Sequence, residues 1–261
     1  MFRTAAAGLI ALAALQAAPA AAATFLFVRH AESTANAGTA ATVEEALDPP
    51  LTALGQQQAL DLAVTLAGRD ITTIYTSAYQ RTQKTIAPTA AGFGLTPTAD
   101  ARTNEWYLGD IASVSDIDYA QVYAVMGAWA AGDTSARLNL PNAESLDDMV
   151  ARVVPAWTEI IDAHKDEDGV VVLVGHGAEM GYVMPFFAQN VSLGFAFGHG
   201  LHNTGIIELE VIGDRPYVTN WQGTPLPVPS QVPLPASGLL LLAGAGALAA
   251  RGVAKRPAAR A

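Results

Sequence analysis

The chain has 261 residues, 24 acidic and 14 basic, for a formal net charge of −10, and no cysteine. Its length allows one large domain or two small ones with an ample core. The missing cysteine excludes disulfides, thiolate metal sites and a cysteine nucleophile, and the acidic balance argues against a nucleic-acid binder, which needs a basic face.

Residues 1–23 read as a secretory signal peptide. Arg3 gives the positive start, 4–18 is an Ala/Leu-rich apolar run, and Pro19 with the alanines at 20–23 supplies small residues for cleavage, expected near Ala22 or Ala23. The run 24–28 (TFLFV) is β-prone and ends at Arg29 and His30. Leu51, Leu54, Leu60, Leu62 and Leu66 have helical spacing, with Thr52 as the cap. A second short β-type run covers 71–75, and a helix is predicted over 79–90.

The stretch 104–141 has no clear period and reads as an insertion with a helix or two covering the site. Leu146, Met149, Val153, Trp157 and Ile161 predict a helix over 145–164, with His164 solvated at its polar end. The DEDG run at 166–169 reads as a helix-ending turn rather than a calcium loop. Val170–174 is a continuous apolar run, as expected of a strand covered on both faces. The runs 206–211 and 217–221 look like a closing pair of strands. Strands alternating with helices predict a three-layer α/β/α sandwich with a mainly parallel central sheet. No glycine-rich phosphate loop, dinucleotide fingerprint or internal repeat is present.

The end of the chain changes character. Pro225, Pro227, Pro229, Pro233 and Pro235 mark a semi-rigid polyproline spacer, assigned here to 223–235, rather than a strand. An apolar stretch, 238–250, precedes Arg251, Lys255, Arg256 and Arg260, so 236–261 reads as a short membrane anchor with a cytoplasmic basic tail. Five of the 14 basic residues and none of the acidic ones lie in the two ends, which leaves nine against 24, a net of −15, on the domain at 24–222. A domain so acidic repels anionic substrates at long range, so a phosphate site must be a local cluster of cations.

Ligands of such sheets bind at the carboxyl ends of the strands. Arg29 and His30 follow the first predicted strand, Thr76, Ser77 and then Arg81 the second, and Gly175, His176 and Gly177 the third. Two arginines offer planar donor forks matched to phosphate oxygens. A neutral histidine beside them is a competent nucleophile toward phosphorus, because adjacent cations disfavour its protonation. Phosphoryl transfer needs mostly positioning and charge stabilisation, so no metal or cofactor is required. His199 and His202 lack a third ligand at metal spacing, and Met126, Trp129 and Trp157 read as core or lid packing.

Five segments in order resemble the histidine phosphatase superfamily, specifically its phosphoglycerate-mutase-like branch: RHAESTAN (29–36), DPPLTALGQQQA (48–59), YTSAYQRTQKT (75–85), VLVGHGAEM (172–180) and HNTGIIEL (202–209). The resemblance implies that His30 is phosphorylated during turnover and that Arg29, Arg81 and His176, with Gly177 beside it, form the phosphate pocket. It implies that Asn36 donates to the same phosphate and that Glu105, in NEWYLGD, is the proton donor, with Glu32, Asp110 and Glu179 as nearby competitors. Ala31 stands where the family has glycine, and its methyl is a candidate to crowd the pocket.

The tail VPLPASGLLLLAGAGALAARGVAKR resembles the VPLPA variant of PEP-CTERM sorting segments of Gram-negative bacteria. It implies an exosortase-type sorting protease as partner, transient anchoring in the inner membrane, and delivery to the cell envelope or exterior. The expectation is an exported, metal-independent phosphatase acting on a small-molecule or protein phosphomonoester. A phosphoglycerate-mutase-type phosphotransferase and a surface-anchored, non-catalytic phosphate-binding domain are the alternatives.

Overall fold

The computed structural model describes residues 23–229. The expected signal peptide, apart from Ala23, and the sorting segment lie outside the described residues. The elements are β1 (Thr24–Arg29), α1 (Val43–Leu47), α2 (Ala53–Leu66), β2 (Ile71–Thr76), α3 (Gln80–Phe93), β3 (Thr98–Ala99), α4 (Tyr119–Ala130), α5 (Leu146–His164), β4 (Val170–Gly175), α6 (Gly177–Phe187), α7 (Leu193–His199), β5 (Ile206–Ile212), β6 (Arg215–Trp221) and β7 (Thr224–Pro225).

One sheet of order β3-β2-β4-β1-β5-β6-β7 runs through the domain. Its β3-β2-β4-β1 half is parallel and its β5-β6-β7 half antiparallel. Because side chains of a strand alternate between faces, the apolar runs of β1 and β4 feed two cores. Leu26, Val28, Val170, Val172 and Val174 pack with Leu62 and Leu66 of α2 and Ile86 of α3. Phe25, Phe27, Val171 and Leu173 pack on the other face with Trp157 of α5 and with Met180 and Val183 of α6. Each such fully buried side chain contributes roughly 1.5–3 kcal/mol. Helices therefore cover both faces, as the sequence predicts.

Local signals hold the elements in place. Thr52 caps α2 by accepting from Gly55 N at 3.0 Å. Ser145 and Asp148 form a reciprocal capping box at the start of α5. The β5–β6 hairpin turns through Gly213 and Asp214, with φ of 58° and 62°, the left-handed pair that matches strand twist. Ala23 is 1% exposed, so the residue beside the expected cleavage bond belongs to the core.

Two expectations need correction, and two helices stand where none is predicted. Pro225, read as the start of the spacer, pairs opposite Asn220 in the edge strand β7, a position where the missing N–H is tolerated. The His164 side chain is only 14% exposed, because Tyr75 of β2 with Oη at 2.9 Å and Glu167 with Oε2 at 2.7 Å close over it. Helices α6 and α7 carry no amphipathic stripe in the sequence. The buried Met180, Val183, Met184 and Phe187 of α6 share one side, but its outer side carries Ala178, Tyr182 and the exposed Phe186, so apolar residues surround it instead of marking one face.

Candidate active site

Strand register builds the site. Arg29 of β1 lies opposite Gly175 of β4, and Thr76 of β2 opposite Val174. His30, His176 and Ser77 therefore leave the sheet at one level. His30 N donates to Gly175 O at 2.9 Å and Ser77 N to Val174 O at 3.1 Å. The rings of His30 and His176 come within 5.2 Å, centroid to centroid.

His30 is 3% exposed. Its Nδ1 lies 2.7 Å from the Ala31 carbonyl oxygen. A carbonyl only accepts, so Nδ1 carries the hydrogen and the neutral ring presents the lone pair of Nε2. Burial, then the Arg81 charge, hold the ring's pKa well below its ordinary value, with Arg29 adding to the effect. Asn203 Nδ2 donates to His30 O at 2.9 Å and to Asn36 Oδ1 at 3.2 Å. Asn36 Oδ1 also accepts from Ser33 N and Ser33 Oγ, both at 3.1 Å, so its Nδ2 hydrogens are the ones left to offer.

Arg29 donates through Nη1 to Leu201 O. Gly177 lies directly against it: a Cβ there would stand 3.1 Å from the Arg29 Cζ and Nε atoms, so a side chain would displace the guanidinium. Arg81 is buried, with its Cζ 4.5 Å from the Tyr79 ring centre and Nη1 3.7 Å from Asp48 Oδ1. Burial is also the largest influence on both guanidiniums, lowering their pKa, with Glu105 opposing. His176 is fully buried; its Nε2 meets Ser77 Oγ at 2.8 Å. Burial, Arg81 and His30 hold its pKa well below the ordinary value.

Arg29 Nε, Arg81 Nη1 and His176 Nδ1 are buried with no hydrogen-bond partner among the described residues. Folded proteins leave few such groups unpaired. A tetrahedral anion, rich in acceptors, is the chemistry that satisfies them.

Arg29, His30, Asn36, Arg81 and Glu105 line one cavity of about 380 Å³, within the range of small-molecule sites. His176 and Gly177 are not among its lining residues, but the His176 ring lies 5.2 Å from that of His30, with Nδ1 unpartnered among the described residues. Glu105 sits at the start of α6, its Oε1 accepting from Trp106 N at 3.0 Å and Glu179 N at 2.8 Å, and its Oε2 from Ala178 N at 3.2 Å. Of the four carboxylates considered for proton transfer, Glu105 alone lines the cavity. Glu32 accepts from Thr52 Oγ1, and Asp110 is tied to Tyr107 and Asn142. Glu179 is fully buried, bonded to His176 N, and pushed up in pKa by burial.

The methyl of Ala31 does not crowd the cavity. It packs with Leu51 and Ala59, while the Ala31 N–H donates to Thr85 Oγ1 at 2.9 Å. His199 belongs to the end of α7, where Nδ1 donates to Phe195 O at 2.8 Å.

Four supporting residues went unassigned in the sequence. Ser77 and Asn203 sit within recognised segments, but nothing local distinguishes them from turn residues. Arg152 Nε and Nη2 engage Glu144 at 2.6 and 2.8 Å, while its N–H groups reach Arg102 O, Asn104 O and Glu105 O at 2.8, 2.7 and 3.1 Å. Glu144 in turn accepts from Tyr107 N at 2.9 Å. This pair fixes the segment that carries Glu105. Its available signal was the lone arginine of the helix predicted over 145–164, whose other charged positions, Asp147, Asp148, Glu159 and Asp162, are acidic.

Residues 25–224 match the family described as the Histidine phosphatase superfamily (branch 1). The chain is 33% identical over 161 residues, 59% of it and 76% of the relative, to a 2,3-bisphosphoglycerate-dependent phosphoglycerate mutase of Bartonella bacilliformis. It is 30% identical over 157 residues, 58% of it and 68% of the relative, to a glucosyl-3-phosphoglycerate phosphatase of Mycolicibacterium vanbaalenii. Its fold is that of a solved mycobacterial glucosyl-3-phosphoglycerate phosphatase, with a TM-score of 0.62 at 24% identity, covering 77% of this chain and 99% of that one. The chain belongs to the histidine phosphatase superfamily.

Proposed function

We propose that this superfamily member is an exported phosphatase that hydrolyses a phosphomonoester through a phosphohistidine on His30, without a metal. In the first step the His30 Nε2 lone pair forms the N–P bond while the P–O bond to the leaving group breaks. Glu105 gives its proton to the departing oxygen. Water then attacks phosphorus, Glu105 takes its proton, and the N–P bond breaks to release phosphate. Arg29, Arg81, Asn36 and His176 hold the equatorial oxygens. His176 donates through Nδ1 when the Ser77 hydroxyl donates to Nε2.

The observation that carries this proposal is the His30 Nδ1–Ala31 O bond of 2.7 Å, which directs the free lone pair of a neutral ring to Nε2 beside two arginines. Export is supported by the leader at 1–23 and by the VPLPA-type segment at 236–261, with an exosortase-type protease and the inner membrane as its partners. Cleavage after Ala22 would keep the buried Ala23 with the domain.

A generic aryl phosphate assay at mildly acidic pH tests the activity: turnover by the full chain, lost in His30→Ala, is expected. Tight phosphate binding without turnover would instead favour a binding domain. The Bartonella mutase relative favours a second reading, phosphate transfer between glycerate positions, and transfer exceeding hydrolysis would establish it.

A further inference from the structure

The cavity has two chemically unlike ends. Among the described residues, Arg29 and Arg81 are the only arginines or lysines that line it, and both belong to the phosphoryl end. The outer wall is apolar: Leu47 of α1, Ile111 and Ile117 of the segment before α4, and Tyr119, Val122 and Met126 of α4. Leu47 and Tyr119 are 40% and 56% exposed at the mouth, more than large apolar side chains usually are. Arg102, Arg152 and Lys84 do not line the cavity; Arg152 pairs with Glu144, and Arg102 with Asp100 and Glu159.

A second anion on the substrate would thus lose hydration against apolar side chains with no counter-charge. It would also face the Glu105 carboxylate and a domain carrying a large negative excess. The phosphoryl group itself is matched by two guanidiniums; a carboxylate or second phosphate on the leaving group is matched by nothing on this wall.

We propose that the substrate is a phosphomonoester whose alcohol part is uncharged and apolar, with Leu47, Ile117, Val122 and Met126 receiving that part. This rests on the phosphatase reading above. It separates the chain from the phosphoglycerate chemistry named for its relatives, whose substrates carry a carboxylate beside the phosphate.

The test uses the full chain and kcat/KM for propyl, butyl, pentyl and hexyl phosphate, beside 3-phosphonooxypropanoate, which is propyl phosphate with its terminal methyl replaced by carboxylate. The expected rise is about fourfold per added methylene. The carboxylate ester should fall at least about tenfold below propyl phosphate. Ile117→Lys should narrow that ratio by supplying the missing cation. A flat or falling chain-length series, a carboxylate ester as good as propyl phosphate, or a ratio unmoved by Ile117→Lys overturns the substrate class. Phenyl phosphate separates the two levels: no turnover of any ester, phenyl included, removes the phosphatase reading itself, whereas turnover with the opposite ranking removes only this inference.

Discussion

The floor and the outer wall of the cavity are built by different rules. The floor comes from strand ends: His30, Ser77 and His176 are one residue beyond β1, β2 and β4, and the backbone ladder sets their level. Its groups are polar, buried and mutually constrained. The wall comes from α1, the segment after Trp106 and α4, which no strand ladder places; Trp106 meets Trp129 of α4 at 4.5 Å, ring centre to ring centre. A floor fixed by register can keep one reaction while the wall changes substrates.

Substitutions in the floor should therefore cost most. His30→Ala removes the nucleophile and should lower kcat on the order of 10⁴-fold or more, measured with phenyl phosphate. Arg81→Ala, leaving the transferring oxygens short of a charged donor, should cost about 10²–10³-fold. Glu105→Gln sharpens the contrast by leaving group. Alkyl phosphates should lose about 10²–10⁴-fold, whereas aryl phosphates, whose leaving oxygen needs little protonation, should lose far less. Equal losses would remove Glu105 from the acid role.

Smaller effects mark the floor's supports. Ser77→Ala breaks one buried hydrogen bond to His176 and should reduce turnover about tenfold or less. Chelators should leave activity unchanged.

The floor also predicts a pH dependence of stability. Both imidazoles have pKa values held well below the ordinary one, first by burial. Unfolded chains take up protons at these rings from about pH 6.5 downward, where the folded protein resists them. The unfolded state then binds more protons, so this stability is present above about pH 6.5 and lost as pH falls through the window below. Glu179, pushed up by burial, slopes the other way. The readout is thus the difference between chains: Tm should fall less steeply from pH 7.5 to 5.5 in His176→Asn than in the native sequence.

The same contrast explains what the sequence disclosed. Arg29, His30 and His176 were legible because an apolar run that stops at a polar residue marks a strand end. Glu105 was legible only through the family resemblance, and the structure adds its place in the cavity wall. Helix α6 was not legible, since its outer side is apolar as well and no polar face sets off the buried one. Arg152 was hidden because its partners are Glu144 and three backbone carbonyls of one distant segment, a placement that only tertiary packing defines. The wall residues carry no spacing code at all; their meaning is collective, a shared lack of charge.

The central claim concerns one nitrogen. Because Nδ1 of His30 is tied to the Ala31 carbonyl at 2.7 Å, phosphorylation must fall on Nε2. The direct measurement is to trap the phosphoenzyme by rapid quench during turnover, map the modified peptide by mass spectrometry, and assign the isomer by ³¹P NMR. Phosphate on Nε2 of His30 is the predicted result; phosphate on Nδ1, on another residue, or on no residue during active turnover would contradict it.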